Sequence, residues 1–193
     1  MTWNDALCEQ LLEQFQLPAE RKVKALSKGM LVKLALLLAV VHEPRLLILD
    51  EPTSGLDPLV REEFLDGVLR TICGEDRTVL FSSHTLGDVH QLADSVGIIH
   101  EGKLLAHCPV DELVSRTKRV RMVLEGKTPS PQVLKKGIHH QLHRRECVLT
   151  VPGFSTETVD ELSGIDGVKI VEVLDMTLEE VFKDYIKGRR AMV

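Results

Sequence analysis

The sequence is poor in aromatic side chains: Phe, Tyr and Trp make up 4% of its 193 residues. A platform that stacks single-stranded bases needs more rings than that. Basic charge is not in surplus either. The 24 Lys and Arg are outweighed by 29 Asp and Glu, for a net charge of −5, so no overall positive field gathers nucleic acid. Cysteine is scarce and scattered. Cys8, Cys73, Cys108 and Cys147 form no C-x-x-C pair and fit reduced thiols of a cytosolic protein better than a disulfide frame or a zinc site. Long hydrophobic runs are missing. The longest, Met30 to Val41 interrupted by Lys33, is too short to span a bilayer and reads as a buried core helix. Residues Met1 to Asp5 have neither the basic start nor the apolar core of a signal peptide. What is present is ordinary globular material, 44% hydrophobic and 27% charged, enough for one domain or one and a half.

Within it, Leu46-Leu47-Ile48-Leu49-Asp50-Glu51-Pro52 stands out. Four apolar residues between prolines read as a strand buried on both faces of a parallel sheet. Two carboxylates follow at its C-terminal end, where open α/β sheets place their ligands. One acid can hold Mg²⁺ and the next can orient or deprotonate a water. Taken alone, the same residues fit a buried strand with a solvated acidic turn.

The flanking segments narrow the choice. Trp3, Leu7, Leu11 and Phe15 recur every fourth residue and predict an amphipathic helix ending before Pro18. After the basic connector Ala19 to Lys24, Ser27 is an N-cap for the apolar helix, and Gly29 permits a close backbone approach. That helix N-terminus is a candidate phosphate contact or a plain cap. Asp57-Pro58 starts another helix with an apolar stripe of Val60, Phe64, Leu65, Val68, Leu69 and Ile72, followed by a turn at Gly74-Glu75-Asp76. Thr78 to Ser82 is a second strand, ending near His84. A β–α–β order with short connections makes the two strands parallel neighbours, so His84 falls at the sheet edge of Asp50 and Glu51.

Further on, the pattern predicts a short helix from Leu86, then a hairpin around Glu101-Gly102. A short helix follows Pro109. Composition changes near Thr117, where strands at Val120–Leu124, Cys147–Val151 and Val168–Val173, a loop at Pro129-Ser130-Pro131 and a helix at Thr156–Leu162 form a small α+β module. Thr177-Leu178-Glu179-Glu180 is a capping box for a last helix, expected to end at Gly188. Two patterns in this module are misleading. Gly126-Lys127-Thr128 imitates the end of a phosphate-binding loop, but Arg121 occupies the leading glycine position. His139, His140 and His143 read as a polar strand edge.

Together these motifs resemble the ATPases of ATP-binding-cassette (ABC) transporters. Leu26-Ser27-Lys28-Gly29-Met30 resembles their signature motif, and Leu46 to Glu51 their Walker B strand with the catalytic glutamate. Ser54-Gly55-Leu56-Asp57 matches the D-loop and His84 the switch histidine. The resemblance covers Ala6 to about Arg116, and the end at Thr177 to Phe182 is similar to the C-terminal extension of ABC-2-type exporter ATPases. It implies an α/β fold: part of a P-loop NTPase parallel sheet with flanking helices in 1–116, and an accessory α+β domain in 117–193.

It further implies ATP and Mg²⁺ as cofactors, with Asp50 holding the metal directly or through water. Glu51 would polarise the attacking water, and His84 would contact the γ-phosphate. Ser27, Lys28 and Gly29 would meet the γ-phosphate held by a second ATPase subunit in a head-to-tail dimer, with Asp57 at the interface. A membrane permease would be the other partner, giving a peripheral location at the cytoplasmic face of the membrane and no role for nucleic acid.

Lys28 replaces the family's usual first glycine and Met30 its glutamine; Lys28 either adds charge near the phosphate or points to solvent. No G-x-x-x-x-G-K-[ST] occurs in the sequence. The expectation is therefore of an N-terminally truncated ATPase part, without autonomous ATP binding and with exposed apolar edges. The alternatives are a non-catalytic partner lending its signature motif to an intact ATPase, and a soluble ABC ATPase not involved in transport.

Overall fold

The computed structural model describes residues 3–72, 77–126 and 128–190, with backbone alone at 67–72 and 189–190. Cys73, the turn at Gly74-Glu75-Asp76, Lys127, and the side chains of Val68, Leu69 and Ile72 lie outside the described residues. The chain divides into two compact units, Met1–Leu92 and Ala93–Val193. The division by compactness therefore falls earlier than the motif-based boundary at 116, and the hairpin around Glu101-Gly102 belongs to the second unit.

In the first unit, α1 (Asp5–Gln14), α2 (Lys28–Val40), β1 (Leu46–Leu49), α3 (Pro58–Ile72), β2 (Thr78–Phe81) and α4 (Leu86–Leu92) follow in order. Asn4 Oδ1 caps α1 by accepting from the Leu7 amide at 3.0 Å, and Ser27 Oγ caps α2 by accepting from the Met30 amide at 3.2 Å. The strands pair in parallel, Leu46 opposite Thr78 through Leu49 opposite Phe81. The core gathers Leu11 and Phe15 of α1, Leu36, Leu37 and Val40 of α2, Leu47 of β1, and Phe64 and Leu65 of α3.

Two expectations about burial are corrected here. Strand β1 is covered on one face only. Leu46, Ile48 and Leu80 are 54%, 65% and 60% exposed, because the helices of this unit cover the Leu47 side and β1 pairs only with β2 among the described residues. Likewise α2 is not enclosed. Leu31 and Leu38, seven residues apart and so on one face, are exposed, while Lys33 is drawn inward to Glu63 of α3 at 2.6 Å. The lysine that breaks the apolar run is thus paired across the α2–α3 contact.

The second unit contains β3 (Ser95–His100), β4 (Lys103–Pro109), α5 (Val110–Ser115), β5 (Lys118–Leu124), α6 (Pro131–Leu134), β6 (His139–His143), β7 (Glu146–Val151), α7 (Thr156–Ser163), β8 (Val168–Leu174) and α8 (Leu178–Arg190). Strands β3 and β4 form the expected hairpin, turning through positive φ at Glu101 and Gly102. The others make an antiparallel sheet in the order β6-β7-β5-β8. One face carries the core of Val120, Met122, Leu124, Cys147, Leu149 and Val151, closed by Val133 and by Leu162 of α7. Arg119 and Thr150 alternate to the other face, where both bond to Asp184 of α8.

Two local readings change in this unit. Pro131 is not loop but the start of α6, with Ser130 as its N-cap. Gly188 does not end α8, which continues to Arg190. A Cβ at Gly188 would lie 1.8 Å from the Ile138 carbonyl oxygen, so the glycine permits a close helix–chain approach rather than termination.

Candidate functional site

The parallel register brings the C-terminal ends of β1 and β2 side by side, with the Ser82 amide donating to the Leu49 carbonyl at 2.9 Å. Asp50 and Glu51 follow one strand, and Ser82 and His84 the other. Ser82 Oγ donates to Asp50 Oδ1 at 2.6 Å and accepts from the Glu51 amide at 2.9 Å. Glu51 has φ +46, left-handed backbone that a non-glycine residue adopts only when its surroundings enforce it. The reversal separates the two carboxylates. Asp50 turns to Ser82, and Glu51 turns to His84, with Oε2 2.6 Å from Nδ1. A carboxylate only accepts, so His84 Nδ1 carries the proton and donates, leaving Nε2 for another group. Both side chains are accessible, Glu51 36% and His84 71% exposed.

The remaining expected residues form a second cluster. Gly29 packs on Val60, whose Cγ1 would be 2.8 Å from an added Cβ. Within the chain, its lack of a side chain thus serves contact with α3. The Lys28 ammonium lies over Gly55 at the loop before α3, 2.2 Å from where a Cβ would stand. Gly55 has φ +69, left-handed backbone that favours glycine, whereas the flexible Lys28 side chain can move aside for a Cβ. Asp57 Oδ1 accepts from the Val60 amide at 3.1 Å and caps α3. Among the described residues no hydrogen bond or ion pair joins this cluster to Asp50, Glu51 and His84.

Ser82, Thr53, Arg61 and Asp88 also bond around these loops, although no motif in the sequence marks them. Thr53 Oγ1 donates to Asp88 Oδ2 at 2.7 Å, and Arg61 Nε donates to Asp88 Oδ1 at 2.8 Å. Asp88, seven positions after β2 and in the first turn of α4, offers a local signal, but its partners are 35 and 27 residues away. Among the described residues no three His, Cys, Asp or Glu are grouped to hold a metal. His139, His140 and His143 lie along β6 at a sheet edge.

A family profile described as "AAA domain, putative AbiEii toxin, Type IV TA system" matches residues 16–87, the segment holding both clusters. The bacitracin transport ATP-binding protein BcrA of Bacillus licheniformis is 42% identical over 113 residues, 58% of this chain and 37% of that protein. BcrA of Enterococcus faecalis is 36% identical over 170 residues, 84% of this chain and 54% of that protein. The daunorubicin resistance ATP-binding protein DrrA3 of Streptomyces coeruleorubidus is 34% identical over 193 residues, 92% of this chain and 60% of that protein.

The chain belongs to the family of ABC transporter ATP-binding subunits.

A solved ATP-binding subunit of an ABC transporter supports the fold, at 30% identity and a TM-score of 0.50 over 58% of this chain and 49% of that one. The chain spans 37% to 60% of the length of these three ABC relatives. DrrA3 is matched across 92% of this chain, so the likeness extends into the antiparallel module of the second unit. Among the described residues no helix is long and apolar enough to cross a membrane.

Proposed function

We propose that this chain is the hydrolytic part of an ABC transporter ATP-binding subunit, powering export through a separate membrane permease. The contact between Glu51 and His84 at the C-terminal edge of β1 and β2 carries this reading. Glu51 orients a water for in-line attack on the γ-phosphorus of ATP and draws on its proton. The bond to the β–γ bridging oxygen breaks, and ADP and phosphate leave. His84 holds one Glu51 oxygen through Nδ1–H and turns Nε2 toward the γ-phosphate. Ser82 keeps the Asp50 carboxylate turned away from Glu51, so that the two acids do separate work.

The oxygen donors Asp50 and Ser82, already 2.6 Å apart, suit a hard cation such as Mg²⁺. Asp50 would hold it, and the ion would neutralise charge developing on the phosphate oxygens. Ser27, Lys28 and Gly29 would meet the γ-phosphate of ATP held by a second ATPase subunit, using the free amides and positive end of α2. Asp57 would lie at that subunit interface. The subunit would work at the cytoplasmic face of the membrane, bound to its permease. The name of DrrA3, a daunorubicin resistance protein, favours export as the direction.

The test is Glu51→Gln in the complete subunit. Nucleotide binding is expected to persist while hydrolysis falls by about 10²–10⁴-fold, the usual weight of a positioned acid–base group. Hydrolysis at the parent rate would falsify the role given to Glu51.

A further inference from the structure

Asp88 is buried, 2% exposed, in the first turn of α4, and the chemistry proposed above makes no use of it. Its Oδ2 accepts from Thr53 Oγ1 at 2.7 Å. Its Oδ1 accepts from Arg61 Nε at 2.8 Å and also from Arg61 Nη2. One carboxylate therefore joins the loop after β1, helix α3, and the segment that follows His84. Thr53 is two residues beyond Glu51, and Asp88 is four beyond His84.

We propose that Asp88, through Thr53 and Arg61, is a positioning residue that holds Glu51 against His84. The inference rests on the reading of those two residues as the water-handling pair. Two cross-ties bracket their contact. Ser82 joins the loops on the strand side, through Asp50 and the Glu51 amide. Asp88 joins them on the far side. The Glu51–His84 contact is itself solvent-accessible, and an exposed polar contact holds little geometry unaided. Glu51 also sits in left-handed backbone, which persists only where neighbouring contacts over-determine it. The turn that begins there, with the Ser54 amide donating to the Glu51 carbonyl at 3.0 Å, runs directly through the tethered Thr53. A buried carboxylate paired with a partly exposed guanidinium is a poor source of stability compared with an apolar filling of the same space. Orientation of two loops is a use that apolar packing would serve less well.

The test reads the ring-nitrogen NMR signals of His84 in the full 193-residue chain and measures how far Glu51→Gln displaces them. In the Thr53→Val or Asp88→Asn background that displacement is expected to shrink about twofold or more, as coupled sites do when their link is cut. Thr53→Ser, which restores the hydroxyl, is expected to keep it in full. Backbone signals of β1 and β2 should stay in place through the Ser82 tie. Three results would overturn the proposal: an undiminished displacement in Thr53→Val and Asp88→Asn, an equal loss in Thr53→Ser and Thr53→Val, or no displacement in the parent chain. If Asp88→Asn unfolds, the Thr53 pair decides. The measurement needs no ATP. Continued hydrolysis by Glu51→Gln would therefore remove the catalytic role given to Glu51 without touching this coupling.

Discussion

Glu180 and His139 make acid the condition under which single residues of the second unit matter most. Glu180 receives a hydrogen bond from the Thr177 amide, and this, with Arg119 beside it, holds its carboxyl below the ordinary 4.5. Burial pushes the His139 imidazole below 6.5, against a smaller opposing pull from Asp184. Both groups bind protons more weakly when folded than when unfolded. Their stabilisation is therefore present above the unfolded values and is lost as pH falls. The second unit is expected to weaken first below about pH 6.5 through His139, and again below about 4.5 through Glu180. His139→Gln should remove the upper part of that loss and Glu180→Gln the lower part. Acid titration of the unit's circular dichroism would decide, and a profile unchanged by both substitutions would refute the assignment.

At the scale of the element, α8 is fixed by one close approach and one polar hub. Gly188 faces the Ile138 carbonyl, where a Cβ would stand at 1.8 Å. Alanine there gains about 1 kcal/mol of helix propensity. The collision is with backbone, though, and overpacking of this kind costs about 1–3 kcal/mol or more. Gly188→Ala is thus expected to destabilise the second unit, visible as a lower denaturation midpoint; a higher midpoint would mean that α8 does not lie against Ile138. The hub is Asp184, 1% exposed, which takes Thr150 at 2.7 Å and Arg119 at 2.9 Å. It turns an amphipathic helix into one with a defined register on the sheet. The capping box at Thr177 to Glu180 announces the helix; its polar anchor depends on residues 34 and 65 positions away.

For the molecule as a whole, the exposed face of the β1–β2 pair dominates solution behaviour. Leu46, Ile48 and Leu80 form a contiguous apolar strip on strands with open edges among the described residues, and such surfaces associate. The apparent mass of the 193-residue chain in light scattering should rise with concentration. The double change Ile48→Thr and Leu80→Thr, which keeps β-propensity, should reduce it. Equal association by that variant would place the adhesive surface elsewhere, with the exposed Leu31 and Leu38 of α2 next in line.

Local patterns in the sequence sufficed for most of the elements and pointed to the candidate site residues. Helix periodicity, N-caps at Ser27 and Asp57, the turn at Glu101-Gly102 and the acids closing an apolar strand all depend on neighbours within a few positions. A β–α–β order also sufficed to put His84 beside Glu51, since handedness and short connections leave few alternatives. Tertiary structure alone decided which faces those elements bury. The outer face of β1 and the Leu31–Leu38 side of α2 have the composition of a core and lie in the open. Composition states what a side chain prefers; exposure depends on what else is packed there. It also decided that Gly29 and Gly188 serve close packing, and that Asp88 ties the two loops of the site. These are contacts between residues far apart in the chain, and no local pattern encodes them.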